Sequence, residues 1–528
     1  MSTPEGWPLL VPVLALAIPA ALTLAAVASP RRAGLASALA LGGALLVAAG
    51  AAVARGVPAA TGSNLGVRID AVTCVVLLLV TALGAVVARY SRTYLDGDPE
   101  LARYQRWLLL TLSAVTALVV ANHLLVLALL WTATSLALHQ LLTYYSDRPA
   151  ALVAAHKKFL VSRLADLCLL GCLTLVHRDV GSLDLDTIAG WASSHPELTP
   201  SMHAAALLVV AAVALKSAQL PFHGWLTQVM EAPTPVSALL HAGVVNIGGF
   251  VLIRLAPWMD RAELAQLFLV ALGLASTLVA SFVMTTRVSV KVALAWSTCA
   301  QMGFMLVECG LGLWHLALLH LVAHSLYKAH AFLAAGSVVD EWRVRALSKR
   351  PAAPTWARLG IALFVAAASA ILGVVALGRV VALSPAEQRA VSLLAALVSL
   401  SLVPLLAGTT TGPTSMARAA LRAGGVVLLY AGWHAAAAHW MPLEVGAPNA
   451  AGCVLAGLGF AGLFATKTAL QRFPDGRLAR ALQPWLFAGL YLDERFTRFT
   501  FRVWPPRLGR RRESPRPLHL QETLEART

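Results

Sequence analysis

Residues 207–221 read Leu-Leu-Val-Val-Ala-Ala-Val-Ala-Leu-Lys-Ser-Ala-Gln-Leu-Pro, an apolar run that ends in a lysine followed five residues later by a proline. Pro221 removes a backbone donor, so a helix through this run should break there and leave carbonyls free beside the ammonium of Lys216. Broken helices in the middle of the membrane are a common way for transporters to build ion sites. The stretch therefore predicts a membrane-embedded ion site centred on Lys216, and a lysine desolvated there suits a proton relay.

The whole chain has the composition of a polytopic helical membrane protein. Of its 528 residues, 58% are hydrophobic and only 12% are charged, about half the charged fraction of soluble domains. This composition excludes a disordered chain and an ordinary soluble enzyme, and it leaves enough apolar sequence for about fifteen spans of about 20 residues. The predicted runs are 8–29, 33–54, 70–90, 107–121, 123–145, 156–176, 204–220, 233–256, 261–285, 288–308, 311–338, 355–378, 388–407, 415–438 and 447–469.

The basic residues predict the orientation of these runs. If the N-terminus is outside, seventeen Lys and Arg residues fall in inside loops, Lys157 and Lys158 among them, and six fall in outside loops. Such a bias is typical of a multi-pass protein of the bacterial plasma (inner) membrane, with the C-terminus of a fifteen-span chain in the cytoplasm. The net charge of +16 fits this bias better than it fits nucleic-acid binding. The outside six are Arg55, Arg68, Arg178, Arg254, Arg261 and Arg379.

The composition divides the chain into two parts. Residues 1–470 form the predicted transmembrane domain, and residues 471–528 are rich in arginine and aromatic side chains. From Trp485 to Trp504 apolar and charged positions alternate at near-helical spacing, which predicts an amphipathic segment on the cytoplasmic face. Two roles remain open for this segment, a membrane-surface anchor and a docking strip for a soluble partner.

Ionisable side chains inside the predicted spans are the main functional signal. Each costs about 2.5–3.5 kcal/mol on insertion scales, so a whole set of them should face one another along a hydrated interior path. Asp70 is a further candidate at a span edge. Arg163 and Asp166, three residues apart, can form an ion pair with each other, which leaves a structural and a transport role equally open. The predicted translocation residues are Lys216, His241, Lys291, His320, His324, Lys328, Asp166, Arg163 and Glu231.

Three of these residues form a stripe on one helix. His320, His324 and Lys328 are spaced at i, i+4 and i+8, so they lie on one face over two turns. Two imidazoles and a lysine suit the transfer of protons. The same spacing allows a zinc site, but a third ligand is missing and Lys328 would repel a dication, so we expect no metal here.

Four segments resemble the proton-conducting membrane subunits of respiratory complex I and of Mrp-type antiporters. They are Lys216–Pro221 (KSAQLP), Ala232–His241 (APTPVSALLH), Lys291–Gly303 (KVALAWSTCAQMG) and His320–Phe332 (HLVAHSLYKAHAF). The resemblance covers about residues 60–340. It implies an all-α antiporter-like fold with two inverted five-helix repeats, each built around a broken helix.

The same resemblance assigns roles to individual residues. Lys216 resembles the central lysine of the first half-channel, and His241 resembles the histidine of the following helix. The stripe from His320 to Lys328 resembles the relay that connects the half-channels.

Two departures separate this chain from complex I and Mrp subunits. Thr132, in Leu130-Trp131-Thr132-Ala133, stands where those subunits carry the glutamate that partners the channel lysine. Asp166 or Glu231 would have to supply the carboxylate instead. Residues 355–378 contain neither the proline nor the Lys or Glu expected of a second broken helix.

With these departures, three further segments are similar to the DabB family, the membrane subunits of the DabA–DabB inorganic carbon system. The segments are 135–142 (SLALHQLL), 157–163 (KKFLVSR) and 487–496 (FAGLYLDERF). The resemblance implies a non-enzymatic subunit that conducts cations to drive a large soluble DabA-like partner, and we expect the cation to be H⁺. That partner would hold zinc, resemble a carbonic anhydrase and hydrate carbon dioxide to bicarbonate. We expect no cofactor in this chain. The alternative is a proton-translocating subunit of a NADH-quinone oxidoreductase or of an Mrp-type antiporter.

Overall fold

The computed structural model describes residues 7–54, 66–195, 197–338, 343, 355–380, 385–407, 413–440 and 449–505. Within these residues there is no β-strand, and two isolated β-bridges join Val67 to Ala121 and His123 to Asp184. The α-helices are α1 (Trp7–Ala28), α2 (Ala33–Ala54), α3 (Ala71–Tyr94), α4 (Leu101–Val120), α5 (Leu124–Leu142), α6 (Pro149–Val180), α7 (Leu185–Ser194), α8 (Pro200–Lys216), α9 (Gly224–Gln228), α10 (Thr234–Ala242), α11 (Ile247–Arg254), α12 (Ala256–Met259), α13 (Glu263–Val283), α14 (Val290–Gly310), α15 (Trp314–Leu333), α16 (Trp356–Val380), α17 (Pro385–Ala407), α18 (Pro413–Trp440), α19 (Ala450–Arg472), α20 (Arg477–Phe487) and α21 (Leu492–Val503).

Each of the fifteen predicted apolar runs coincides with a helical part of the chain. Ten helices in the described ranges are long and apolar enough to cross a membrane by length and composition. The all-α membrane architecture is thus confirmed, whereas the number of spans and the sides of the two termini stay predictions. The run predicted at 355–378 is one unbroken helix without an internal proline.

The assignment of Lys157 and Lys158 to an inside loop was wrong. Helix α6 begins at Pro149, where a proline fits the first helical position, and not near residue 156. Both lysines therefore lie in the third turn of a 32-residue helix, and both are buried. The sequence pattern missed this because two adjacent charges looked like the end of an apolar run.

Helices α13 and α14 cross with their backbones in contact. A methyl group on Gly303 would stand 2.6 Å from the carbonyl oxygen of Gly273, and one on Gly310 would stand 2.6 Å from the carbonyl oxygen of Gln266. Small residues permit such close helix packing in membranes. The two helices thus form one rigid pair beside the predicted ion site.

The segment after α19 packs on the transmembrane domain of its own chain. The Arg287 guanidinium donates a hydrogen bond to the carbonyl oxygen of Leu486 at 2.8 Å, and the ring of Phe496 meets that of Phe222 at 5.8 Å between centroids. The sequence had left open an anchor or a docking strip, and intramolecular packing is a third arrangement that it did not anticipate. Residues 506–528 of the predicted tail lie outside the described residues.

An ion cluster joins α3 to α11 at the end of the bundle where α3 begins. Arg254 is buried and forms an ion pair with Asp70 at 2.6 Å, while Arg68 reaches the same carboxylate at 3.0 Å. Asp70 also caps α3 by accepting a hydrogen bond from the backbone N–H of Thr73 at 2.8 Å. Burial alone would raise the pKa of Asp70, but the two guanidinium groups and this hydrogen bond hold it below its usual value. The assignment of Arg254 to an outside loop was therefore wrong, because Arg254 is the last residue of α11 and the carboxylate of Asp70 compensates its burial.

We expect Asp70→Asn to lower the free energy of unfolding by about 3 kcal/mol, because it leaves the buried Arg254 without its counter-charge. The measurement is thermal or denaturant unfolding of the purified protein in detergent. The exposed Glu100, which meets Arg103 at 3.7 Å, offers a matched control, and Glu100→Gln should change stability by less than about 1 kcal/mol. Equal effects of the two variants would contradict the structural role of the cluster.

Candidate functional site

The predicted helix break lies beside Lys216. Helix α8 ends at Lys216, and α9 begins only at Gly224. Between them, Ala218 has a φ of 52°, in the left-handed region that interrupts a right-handed helix. The break expected from Pro221 is thus confirmed, and it starts before the proline itself.

A carboxylate from α6 faces the Lys216 ammonium. The Nζ of Lys216 lies 2.8 Å from Oδ1 of Asp166, and the other oxygen of Asp166 lies 2.8 Å from the Arg163 guanidinium. The ammonium also stands 4.9 Å from the centre of the Trp131 ring. Only 4% of the Lys216 side chain is exposed. The site is therefore a largely buried cluster of two cations, one carboxylate and an aromatic face.

The structure separates the two carboxylates that the sequence left open as partners of Lys216. The hydroxyl of Thr132 donates a hydrogen bond to Oδ1 of Asp166 at 2.9 Å. Glu231 is half-exposed and faces Arg148 at 3.5 Å, at the end of the bundle where α6 begins. Glu231 is thus not part of the Lys216 cluster. The threonine that replaces the expected glutamate instead orients the carboxylate of the next helix.

A second helix break, which the sequence analysis missed, meets the first. Helix α10 ends at Ala242 and α11 starts at Ile247, and the Ser217 hydroxyl donates to the carbonyl oxygen of Val245 in this gap at 3.1 Å. Asn246 then donates to the Ser325 hydroxyl on α15 at 2.7 Å. Gly243 and Asn246, two residues that often end helices, were the available signal. The two breaks give a polar bridge from the residue after Lys216 to the residue after His324.

The histidine and lysine stripe lies where this bridge ends. Lys328 is buried and donates to Ser297 and, at 3.1 Å, to the carbonyl oxygen of Leu294. His241 is fully buried, with Nδ1 3.1 Å from the Thr298 hydroxyl. The rings of His320 and His324 are 6.0 Å apart between centroids. The predicted stripe is therefore an interior group, and His241 reaches the same helix, α14, as Lys328.

The far end of the stripe meets an acidic residue that sequence reasoning did not select. Nδ1 of His320 lies 2.8 Å from the Oε2 of Glu308, and both side chains are at most 10% exposed. Glu308 stands two residues before Gly310, the last residue of α14. An acidic residue inside an apolar run can indicate a functional site. Glu308 was not selected because it was the last residue of the predicted run 288–308, and charged residues are common at the ends of membrane spans.

Two other lysines stand apart from these groups. Lys291 donates to the Thr234 hydroxyl at 2.7 Å at the start of α14, so the structure does not place it with the stripe. Lys158, which was not predicted as a site residue, is buried and donates to the hydroxyl and the carbonyl oxygen of Ser135 at 2.7 and 2.6 Å. In the described ranges, no three His, Cys, Asp or Glu side chains are grouped as metal ligands.

The arrangement forms a polar line across part of the bundle. We define the inner end as the end where α6 begins and the outer end as the end where α8 begins. At 1.5 Å per residue, Lys216 lies about 24 Å from the outer end of α8, and Asp166 lies about 25 Å from the inner end of α6. Glu308 lies close to the outer end of α14. Proton donors and acceptors therefore lead from the middle of the bundle towards its outer end.

Asp166→Asn should destabilise the protein by about 3–5 kcal/mol, because the buried Lys216 and its neighbour Arg163 lose their shared carboxylate. Unfolding in detergent measures the change. Asp147 is exposed in the loop before α6, so Asp147→Asn serves as a control of equal chemistry. A stable Asp166→Asn protein would mean that the carboxylate does not hold the cluster together.

Two family descriptions match the sequence. "NADH:quinone oxidoreductase/Mrp antiporter, TM" matches residues 121–350, and "NADH-Ubiquinone oxidoreductase (complex I), chain 5 N-terminus" matches residues 59–105. The first range contains both helix breaks and the stripe on α15. The second range precedes them and contains α3.

Individual proteins extend the likeness. The probable inorganic carbon transporter subunit DabB of Hydrogenovibrio crunogenus is 39% identical over 459 residues, or 84% of this chain and 85% of that protein. A second one, subunit DabB2 of Halothiobacillus neapolitanus, is 47% identical over 54% of this chain and 52% of its own length. The NADH-quinone oxidoreductase subunit L of Mycobacterium tuberculosis is 33% identical over 52% of this chain and 44% of its own length.

A solved structure shares the fold. The Mrp complex from Dietzia sp. DQ12-45-1b superposes with a TM-score of 0.54 and 23% identity, over 98% of this chain and 58% of that chain. The antiporter-like fold expected from the sequence is confirmed by this likeness.

Proposed function

The chain belongs to the DabB family of probable inorganic carbon transporter subunits, and we propose that it conducts protons to power a soluble partner that traps inorganic carbon. In this proposal the chain is the membrane subunit of the complex and carries out no hydration chemistry itself. The partner is a large DabA-like zinc protein that converts carbon dioxide to bicarbonate in the cytoplasm. Proton flow down its gradient through the chain supplies the free energy.

The observation that carries the proposal is the buried ion pair between Lys216 and Asp166 at the helix break. Desolvation in a protein interior disfavours the protonated, charged form of a lysine, and a neighbouring carboxylate favours that form again. Such a pair can hold or release a proton when its surroundings change slightly. A purely structural ion pair in a membrane would not require a broken helix beside it.

The polar line supports a direction for the path. From Lys216, the bridge through Ser217, Asn246 and Ser325 leads to the stripe on α15. His320 and Glu308 then form its last buried pair near the outer end. In this proposal, protons enter through Glu308, pass the histidines and Lys328, and reach Lys216.

Lys216→Ala should abolish carbon-dependent growth of a host that lacks its own carbonic anhydrase, while the protein still assembles in the membrane. The physical reason is loss of the central proton carrier. Lys467, a half-buried lysine of α19, offers a matched control, and Lys467→Ala should support growth. Normal rescue by the Lys216→Ala chain would remove this lysine from the mechanism.

Glu308→Gln should slow proton flux into liposomes that contain the purified complex on the order of 10²-fold, as for loss of a proton-transfer group. The amide keeps the size of the side chain but does not exchange a proton with His320. Glu263 is exposed at the outer end of α13, so Glu263→Gln tests for a general effect of lost negative charge. Equal flux in the two variants would place the proton entry elsewhere.

A respiratory or Mrp-type role is the second candidate, and the two matched family descriptions favour it. The two candidates differ in their partners. Affinity purification of the tagged chain should recover one large soluble zinc protein under our proposal, and quinone-enzyme or antiporter subunits under the alternative.

A further inference from the structure

Specific contacts hold the two tail helices against the inner end of the transmembrane domain. The indole of Trp504 stacks on the ring of His156 at 4.0 Å between centroids, and its carbonyl oxygen lies 3.1 Å from Nδ1 of His156. At the other end of the pair, Arg287 donates to the carbonyl oxygen of Leu486 at 2.8 Å. The tail is thus held on both sides of α21.

Between these two contacts, α21 places a carboxylate on a buried lysine. Oδ2 of Asp493 lies 2.7 Å from Nζ of Lys157 and accepts a hydrogen bond from Gln228 at 2.6 Å. Thr497, one turn further along α21, accepts from the same ammonium at 2.6 Å. The Lys157 side chain is 0% exposed. Because an unpaired charge is costly to bury, the tail supplies the carboxylate that permits the burial of Lys157.

The transmembrane domain has a fitted socket for this carboxylate. A methyl group on Gly224 would overlap the carboxylate of Asp493, so only glycine leaves room for it. Gly224 opens α9, the short helix that follows the break after Lys216. The ring of Phe496 covers Phe222 two residues earlier. The tail therefore covers Phe222, Gly224 and Gln228 from the inner side, in the segment that links the central lysine to the inner end.

We propose that Asp493 is the inner gate of the proton path. With the tail docked, Lys157 is paired and residues 222–228 are covered. With the tail released, Lys157 and residues 222–228 become accessible from the inner side, and protons leave Lys216 towards the inner end. This inference rests on the proposed proton conduction and adds to it a control point on the chain's own tail.

Two substitutions release the tail by different means. Asp493→Asn removes the charge at constant size, and Gly224→Ala fills the socket without changing any charge. Glu494, adjacent to Asp493, is exposed and forms an ion pair with Arg498 at 2.5 Å, so Glu494→Gln is the matched control.

The full-length chain is reconstituted without partner in liposomes of phosphatidylethanolamine and phosphatidylglycerol. Proton flux is followed with a pH-sensitive dye, and hydrogen exchange of residues 492–503 is measured by mass spectrometry.

Both releasing variants should speed exchange of residues 492–503 and raise flux about fivefold or more, and Glu494→Gln should do neither. The added flux should disappear when Lys216→Ala is combined with Asp493→Asn. Faster exchange without a rise in Lys216-dependent flux would overturn the gate and leave the tail as a structural brace. Unchanged exchange would overturn the contact itself.

Failure of the proposed function gives a different result. In that case the wild-type chain, Asp493→Asn and Lys216→Ala would all show the flux of empty liposomes or an equal, Lys216-independent leak, and the gate would fall together with the path. A Lys216-dependent flux that ignores the tail would reject the gate alone.

Discussion

An ammonium group inside a membrane protein needs a carboxylate close by, because the hydrocarbon core offers neither water nor counter-ions. The pair of Lys216 and Asp166 meets this requirement, and the features around it follow from it. Helix α8 ends at the lysine, Trp131 presents the face of its ring to the ammonium, and Thr132 directs the carboxylate by a hydrogen bond. Arg163 shares the carboxylate and adds positive charge to the cluster. The chain thus keeps a charged lysine at depth although the expected glutamate of α5 is a threonine.

The sequence was sufficient for the features that local chemistry determines. Pro221 predicted the break beside Lys216, and the four-residue spacing predicted that His320, His324 and Lys328 share a face. Partners that are distant in sequence left no such signal. Asp493 lies 336 residues from Lys157, and no helical periodicity relates one to the other. The sequence offered Asp166 and Glu231 equally as partners of Lys216, since only the packing of α6 against α8 decides which of them comes near. The break before Ile247 was missed because its flanking residues are apolar enough to extend a helix.

The polar groups are distributed unequally between the two parts of the fold. They concentrate between α3 and α15, where both helix breaks lie, whereas α16 continues from Trp356 to Val380 without interruption. The described helices after α15 bury mainly alanine, valine and leucine. Fold similarity to an Mrp complex extends over 98% of this chain, whereas the buried ionisable groups of the candidate site, among the described residues, lie before α16. The pair of His320 and Glu308 lies near the outer end of this polar region.

The glycine contacts between α13 and α14 also bear on how the molecule can move. The backbones of the two helices are in contact at Gly273 and Gly303, with no side chains between them at this point. Sliding or rocking of one helix against the other would therefore cause a steric clash. Transporters that expose a site alternately to each side depend on movement of one group of helices against another. Here α14 is fixed to α13 while carrying Thr298 and Ser297 to His241 and Lys328. Under the proposed function, proton transfer past α13 and α14 would then proceed by rotation of side chains while these two helices keep their positions relative to each other.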